Sequence, residues 1–265
     1  MARTASSQSL LATNWVALQT IVVREVRRFM RIWAQTLLPP VITMVMYFLI
    51  FGSFLGNRIG QIDGFGYIQY IAPGLIMMSI ITNSYNNVVS SFYSSKFQRN
   101  VEELLVAPVS FHTILIGYMI GGVLRGVLVG LLVLVVRLVF TNMPVHHLGL
   151  IVLVILMNAG IFSMSAFINA IFARSFDDIS IIPVFVLTPL TYLGGEIYSI
   201  HLLSPLWQKI SLANPILHMI NAFRYGFLGT SDIGIGVAVA FMAAATVVLY
   251  GVCIWLLRSG RGLSS

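Results

Sequence analysis

The sequence predicts an all-α membrane protein with six transmembrane helices, and its composition and its long apolar windows support this fold class. Hydrophobic residues make up 58% of the 265 residues and charged residues only 9%, whereas charged residues approach about a quarter of a soluble domain. The mean hydropathy is +0.94. The composition therefore indicates an integral membrane protein.

The charge-free windows set the order of the predicted spans. About 20 apolar residues cross a bilayer, although tilt and burial relax this length. The fifth window is the shortest, and no loop is large enough to form a second folded domain. Residues 1–265 are therefore interpreted as one domain. Its predicted spans are 34–56, 66–93, 112–140, 147–173, 179–199 and 233–257.

Residues 13–33 precede the first span as a predicted amphipathic helix. Apolar side chains recur at steps of three or four residues, and the arginines fall on the opposite face. We expect this helix to lie in the membrane interface with its apolar side toward the lipid. A cytoplasmic helix packed on a partner is the alternative, and both can hold together. The apolar face comprises Trp15, Leu18, Val22, Val26, Phe29 and Trp33, and the basic face comprises Arg24, Arg27, Arg28 and Arg31.

Lysine and arginine predict the orientation, because they accumulate in cytoplasmic loops. An N-terminus in the cytoplasm places most of them on that side, so both termini are expected there. The net charge of +7 then reflects topology and contact with anionic lipid headgroups, and nucleic acid is not expected as a partner. The predicted cytoplasmic residues are Arg3, Arg24, Arg27, Arg28, Arg31, Lys96, Arg99, Arg174, Arg258 and Arg261, and the outer ones are Arg58, Arg137, Lys209 and Arg224.

The second span carries a polar stripe in its cytoplasmic half. Amide side chains are costly against lipid, so this face is expected to meet protein or water. Interhelical hydrogen bonding and the wall of a transport pathway both remain open as explanations. The stripe comprises Ser79, Asn83, Asn86, Asn87, Ser90 and Ser94.

The charged residues limit the possible chemistry. All carboxylates fall in loops or near span ends. A proton-driven carrier, by contrast, would be expected to hold one at mid-membrane. Arg125 is the only deeply placed charge, and binding an anionic headgroup, pairing with another helix or snorkelling could explain it. The histidines lack the convergent ligands of a metal site. No P-loop surrounds Lys96 or Lys209, so no ATP site is expected in this chain.

A short acidic and apolar segment, residues 98–107, separates the second and third spans. It can form two helical turns with Glu102 and Glu103 in the first turn, where carboxylates suit the helix dipole. Pro108 limits its extension. Such a segment is what a membrane protein moved by a cytoplasmic partner would carry.

Three segments together resemble the permeases of the ABC-2 type transporter family, and the resemblance covers nearly the whole chain. Residues 97–109 read FQRNVEELLVAPV, residues 177–195 read DDISIIPVFVLTPLTYLGG, and residues 214–226 read NPILHMINAFRYG. The resemblance implies that residues 100–107 form a coupling helix, that the second and fifth spans flank a central pathway, and that residues 202–228 form an extracellular re-entrant segment. The expected coupling residues are Arg99, Asn100, Glu102, Glu103, Leu104, Leu105 and Pro108.

The resemblance also implies partners. Two copies of a separate ATPase subunit would carry ATP and Mg²⁺, and two copies of the permease would form the pathway within the bacterial inner membrane. No internal duplication supplies a second set of spans, so a homodimer in contact with membrane lipids is expected. Pro183 and Pro189 would bend the fifth span toward the partner copy. Its expected seam and pathway residues are Val184, Leu187, Thr188 and Tyr192.

These observations predict an exporter permease that moves an amphipathic or lipid-like substrate outward. A polysaccharide or drug exporter permease, a passive lipid scramblase or channel subunit, and a membrane-embedded enzyme are the alternatives. A scramblase would not need the acidic segment, and an enzyme would need a buried acid, histidine or metal cluster. The sequence does not identify the substrate.

Overall fold

A computed structural model describes residues 7–262 of the chain, and Arg3 lies outside the described residues. The described part is built from helices, together with a two-stranded hairpin in which Gln61 pairs with Gly66 and Ile62 with Phe65. The strands are β1 Gln61–Ile62 and β2 Phe65–Gly66. The helices are α1 Ser7–Arg31, α2 Trp33–Tyr47, α3 Gly56–Ile59, α4 Tyr67–Phe97, α5 Asn100–Val106, α6 Phe111–Phe140, α7 Leu148–Phe172, α8 Asp178–Ile182, α9 Thr188–Leu193, α10 Pro205–Leu212, α11 Pro215–Leu228 and α12 Ile235–Ser259.

Several helices are long and apolar enough to cross a membrane. By length and composition, four of the described helices qualify, and they lie at Trp33–Gly52, Phe111–Phe140, Leu148–Phe172 and Ile235–Ser259. Helix α4 has 31 residues and is longer than these four, but it carries the polar stripe and is not among the apolar helices. The protein is therefore a multi-pass helical membrane protein.

Two helices contain π-helical turns. One follows α2 at Phe48–Leu55, and the other, Pro183–Leu187, joins α8 to α9 into a shorter apolar helix, Asp178–Leu193. Proline lacks the N–H that would donate to the carbonyl four residues earlier, so Pro183 favours a break in the regular ladder. The fifth predicted span is therefore helical only to Leu193, whereas residues up to 199 were expected.

Helix α4 is the centre of the core, and most of its side chains are buried. Helix α6 packs closely on it because three glycines face α4. A Cβ atom on Gly126 would lie 1.9 Å from Ser84 Oγ, and one on Gly122 would lie 2.6 Å from Val88. Glycine permits this close approach of two helices. The pair α4 and α6 therefore forms a closely packed unit.

The chain has two distinct ends. At the basic end lie α1, the last turns of α4, helix α5, and the C-terminal ends of α7 and α12. Lys96 Nζ joins α4 to α7 there by donating to the carbonyls of Ile171 and Ala173 at 2.5 and 3.0 Å. At the hairpin end lie the β-hairpin, the first turns of α4, and helices α10 and α11. Residues 202–228 thus contain two short helices, and their re-entry into a membrane stays a prediction.

Helix α1 packs on α6 along a line of residues that includes only Phe29 of the predicted apolar face. Ile21, Glu25 and Phe29 face inward, whereas Trp15 and Trp33 are exposed. Gly117 and Gly121 of α6 form a groove that accepts Ile21 and the stem of Glu25. The expectation that the apolar face lies toward lipid stays a prediction.

Candidate functional site

The polar stripe of α4 satisfies part of its hydrogen bonding within its own helix. Ser79 Oγ donates to the Leu75 carbonyl at 3.1 Å, and Asn83 Nδ2 donates to the Ser79 carbonyl at 3.0 Å. Ser90 Oγ donates to the Asn86 carbonyl at 2.6 Å. These bonds leave the amide oxygens free to accept from other helices.

Two arginines from other helices use those oxygens. Arg28 of α1 donates to the carbonyl and the Oδ1 of Asn87 at 2.8 and 2.9 Å. Arg125 of α6 donates to Asn83 Oδ1 at 3.4 Å. The stripe therefore takes part in interhelical hydrogen bonding at Asn83 and Asn87. Asn86 and Ser90 stay half-buried, and their role in a pathway stays a prediction.

A buried acid holds α1 against α4. The Glu25 side chain is 0% exposed, its Oε1 accepts from Ser91 Oγ at 2.5 Å, and its Oε2 lies 3.3 Å from Arg28. Arg24 lies 3.6 Å from the same carboxylate and donates to the Tyr118 hydroxyl at 2.6 Å. Two of the four arginines thus turn inward toward α4 and α6.

A cavity of about 960 Å³ lies between α1 and the end of α4. Arg27 and Arg31, which are exposed, line it together with Arg24 and Arg28, and Ser91 and Ser94 form part of the facing wall. The cavity therefore has a positive wall from α1 and a hydroxyl wall from α4. It lies at the basic end, close to α5.

A smaller cleft of about 300 Å³ lies farther along α4. Helix α2 lines it with Pro39 and Pro40, α4 with Asn83 and Asn86, and α6 with Arg125. The two cavities thus follow the same polar face of α4.

The acidic segment forms helix α5 on the surface of the basic end. A left-handed residue, Arg99 with φ 61°, turns the chain from α4 into α5. Val101 is buried beneath the helix, while Glu102 and Glu103 are exposed in its first turn. The helix is therefore fixed to the core on one side and presents two carboxylates on the other. The remaining expected coupling residues are a half-buried Asn100, Leu104 and Leu105 and an exposed Pro108.

Exposed apolar side chains lie on α5 and just before it. Val106, the last residue of the helix, is 88% exposed, and Phe97, three residues before the helix, is 66% exposed. The rings of Phe97 and Phe176 lie 5.4 Å apart. An acidic helix beside uncovered apolar side chains has the character of a protein-binding surface.

Three hydrogen bonds order the segment between α7 and α8. Asp178 Oδ2 accepts from the N–H groups of Arg174 and Ser175 at 2.8 and 3.1 Å, and Ser175 Oγ accepts from the Asp178 N–H at 3.1 Å. The bond from Arg174, followed by that with Ser175, holds the pKa of Asp178 below its usual value. Burial, and then the positive charge of Arg174, lower the pKa of Lys96.

The residues of the predicted dimer seam are largely exposed on the surface of the molecule. Val184 is 57% exposed, Thr188 and Tyr192 are exposed, and Leu187 is half-buried. These residues are accessible to a second copy or to lipid. Their role in a dimer stays a prediction, as does a pathway shared with the α4 stripe.

The hairpin end is held by a buried arginine that the sequence reasoning did not identify as structural. Arg224 of α11 is 1% exposed and donates to the Gly195 carbonyl at 2.6 Å and to the Tyr70 hydroxyl at 3.0 Å. Its Nη1 lies 3.9 Å from Asp232, which also accepts from the Ile200 N–H. Arg224 was placed on the outer side within the re-entrant segment, and Asp232 in a loop or near a span end. Their spacing in sequence gives no sign of this pairing. Glu25 did carry a signal, since it lies four residues from both Ile21 and Phe29.

These features define a multi-pass helical membrane protein with an exposed acidic helix between two long helices. The chain belongs to the family described as ABC-2 type transporter, whose profile matches residues 16–228.

The relatives agree with this assignment. The chain is 54% identical over 251 residues to the "Inner membrane transport permease YadH" of Escherichia coli (strain K12), covering 95% of this chain and 98% of that protein. It is 25% identical over 246 residues to "Nodulation protein J" of Neorhizobium galegae, covering 92% of this chain and 93% of that protein. The same-named protein of Rhizobium meliloti (strain 1021) is 23% identical over 246 residues. The likeness thus extends over nearly the whole chain.

Proposed function

We propose that this chain is the permease subunit of an ATP-binding cassette exporter, driven by a separate ATPase subunit that binds ATP and Mg²⁺. The observation that carries the proposal is the surface of α5, where Glu102 and Glu103 project from a helix fixed at the joint between α4 and α6. A helix exposed on one side and anchored on the other can receive a displacement from a partner. The uncovered side chains of Phe97 and Val106 supply apolar contact area beside the carboxylates.

The packing of the basic end supports transmission of that displacement. Helix α5 connects directly to α4 and, through a short linker, to α6, and these two helices lie close together along their glycine contacts. Lys96 ties the end of α4 to α7. Movement of α5 would therefore tilt a packed group of helices, as rigid elements transmit coupling between sites.

Six membrane spans follow when α4 and the short helix Asp178–Leu193 are added to the four apolar helices. The basic end is then cytoplasmic, with both termini on that side, and α10 and α11 form an outer lid that re-enters the membrane. The name of the E. coli relative supports the inner membrane as the location. Two permease copies and two ATPase copies would complete the transporter, with the surface around Val184 and Tyr192 at the seam.

The substrate proposed for this pathway is amphipathic or lipid-like and moves outward. The polar cavities along α4 lie in a helix bundle that is otherwise apolar, so they suit a molecule with both a polar and an apolar part.

Charge reversal on α5 tests the proposal. Full-length chain carrying Glu102→Lys and Glu103→Lys is purified together with the ATPase that copurifies with the unaltered chain, and substrate-stimulated ATP hydrolysis is measured. We expect stimulation to be lost while membrane insertion is retained, because losing one side of a buried interfacial charge pair costs roughly 2 to 5 kcal/mol. The mass of the unaltered complex checks the two-to-two composition.

Two controls sharpen this experiment. Asp177→Lys reverses an exposed acid at the same end and should leave stimulation nearly unchanged. Glu102→Gln with Glu103→Gln removes charge without placing cations at the N-terminus of α5, so an intermediate loss is expected. Full stimulation in the double reversal would contradict the coupling role of α5.

A further inference from the structure

We propose that the cleft between α2, α4 and α6 binds the acidic headgroup of an amphiphile through Arg125. The inference rests on the proposed function and specifies it, since it names the substrate class as amphiphiles with a phosphate or carboxylate headgroup. The cleft has a volume of about 300 Å³. Such a volume accommodates a headgroup while leaving the apolar chains outside.

Arg125 has no anionic partner in the described part of the chain. Its guanidinium makes one hydrogen bond, to Asn83 Oδ1 at 3.4 Å, and its buried Nε has no acceptor. No carboxylate among the described residues lies within 4.0 Å of it. A cation within a membrane normally pairs with an acid or bonds to backbone carbonyls, because leaving it unpaired is costly. An incoming anion would satisfy these donors.

Other arginines that are buried wholly or in part provide a comparison. Arg28 has Glu25 at 3.3 Å, and Arg224 has Asp232 at 3.9 Å together with Tyr70 and Gly195. Arg137 is 6% exposed and has no acid within 4.0 Å among the described residues, but it donates to the Met143 carbonyl and lines neither cavity. Arg125 combines the lack of an acid with a position in an open cleft, which is the arrangement expected of a binding group.

The lining of the cleft matches an amphiphile on both sides. Met44, Met78 and the two prolines of α2 give it an apolar wall, and the guanidinium lies among amide and hydroxyl groups.

Two arginines contact successive turns of α4. Arg28 contacts Asn87, and Arg125 contacts Asn83, one turn farther along α4. Four helical residues correspond to a rise of about 6 Å. The cleft therefore lies along α4 from the cavity of the α1 arginines, although the two share no lining residue.

Lipid binding to the purified complex tests the inference. Native mass spectrometry compares retention of dioleoyl phosphatidic acid and dioleoyl phosphatidylcholine, which share acyl chains but differ in headgroup charge. We expect the unaltered protein to retain the acidic lipid about tenfold more tightly, as one charge-assisted bidentate contact would give. Arg125→Gln should reduce this preference to about twofold or less, and Arg125→Lys should keep part of it.

Two further variants separate a specific loss from a folding defect. Thr82→Trp places a large ring at the exposed edge of the cleft, so it should abolish the preference while leaving Arg125 in place. Arg58→Gln removes an exposed cation at the hairpin end and should change nothing. An undiminished preference in both Arg125→Gln and Thr82→Trp would overturn the inference, because the lipid would then be bound elsewhere.

Additional arms identify the source of the anion. Competition by millimolar inorganic phosphate alone would overturn the requirement for an amphiphile. Release of bound phosphatidic acid on addition of ATP supports a transported substrate, whereas occupancy that ATP leaves unchanged indicates a resident lipid and overturns the substrate assignment. Because binding is first measured without nucleotide, a failed binding preference with intact coupling through α5 would reject this inference and leave the proposed function standing.

Discussion

The two ends of the molecule differ in how their arginines are placed. At the hairpin end, Arg224 and Asp232 are both enclosed and bonded within the chain. At the basic end, Arg27 and Arg31 line a cavity of about 960 Å³, and Val106 and Phe97 have little to cover them. The hairpin end encloses its ion pair, although Leu202 is 70% exposed there and the buried Glu196 has an Oε2 without a hydrogen-bond partner. The basic end instead keeps arginines exposed around a cavity. The difference teaches that an anionic ligand is to be sought at the basic end.

The largest expected effect comes from Arg224→Met at the hairpin end. The substitution leaves Asp232 buried without its cation and removes donors to Gly195 and Tyr70. Breaking a buried ion pair costs roughly 3 to 5 kcal/mol, and we expect a loss of this size in the free energy of unfolding in detergent.

Arg27→Met at the basic end is the matched control, since Arg27 is exposed. Its free energy of unfolding should change by no more than about 0.5 kcal/mol, as is usual for surface substitutions. Equal losses in both variants would remove the contrast between the ends.

Glu25→Gln measures how far the basic end also depends on a buried pair. The carboxylate is enclosed, but Arg24 and Arg28 are 41% and 28% exposed, so solvent screens the attraction. We expect a loss of about 1 to 2 kcal/mol in the free energy of unfolding, below that of Arg224→Met, because glutamine keeps the bond to Ser91 but loses charge assistance.

Glu103→Gln, on the exposed face of α5, should change the free energy of unfolding by a few tenths of a kcal/mol at most. If Glu25→Gln lowered the free energy of unfolding as much as Arg224→Met, the buried pair of α1 would stabilise the fold as strongly as the buried pair of α11.

The sequence alone predicted the fold class well and the side-chain pairings poorly. Hydrophobicity over long windows reports the membrane helices, because each apolar helix must satisfy its backbone internally wherever its neighbours lie. The acidic helix α5 was also predictable, from Glu102, Glu103 and Pro108 within a short interval. Its role and the six-span arrangement remain predictions.

Pairing depends on distant neighbours, so local patterns missed it. The buried line of α1, which includes Ile21 and Glu25, follows Gly117 and Gly121, about a hundred positions away. Likewise Arg224 meets Tyr70 across 154 positions. The fifth helix ends at Leu193, before Gly194 and Gly195, whose lack of a side chain favours such an end, although the predicted span continued to residue 199.

The smallest expected effect is a pH-dependent loosening of the turn before α8, at the basic end. Asp178 accepts bonds from the amides of Arg174 and Ser175, and these bonds lower its pKa. A carboxyl group with a depressed folded pKa contributes stability above its unfolded value of about 3.9, and this contribution is lost as the pH falls through the folded value. Hydrogen exchange, corrected for its intrinsic pH dependence, should therefore show constant protection of the two amides at neutral pH and a loss of protection below about pH 4. Asp178→Asn should give weaker protection at neutral pH without this dependence, and the amide of Ala173, which donates to the Asn169 carbonyl, should serve as the internal control. Protection of the Arg174 and Ser175 amides that persists in acid would show that the Asp178 carboxylate does not hold this turn. The basic end would then be less sensitive to the loss of charge than its exposed arginines suggest.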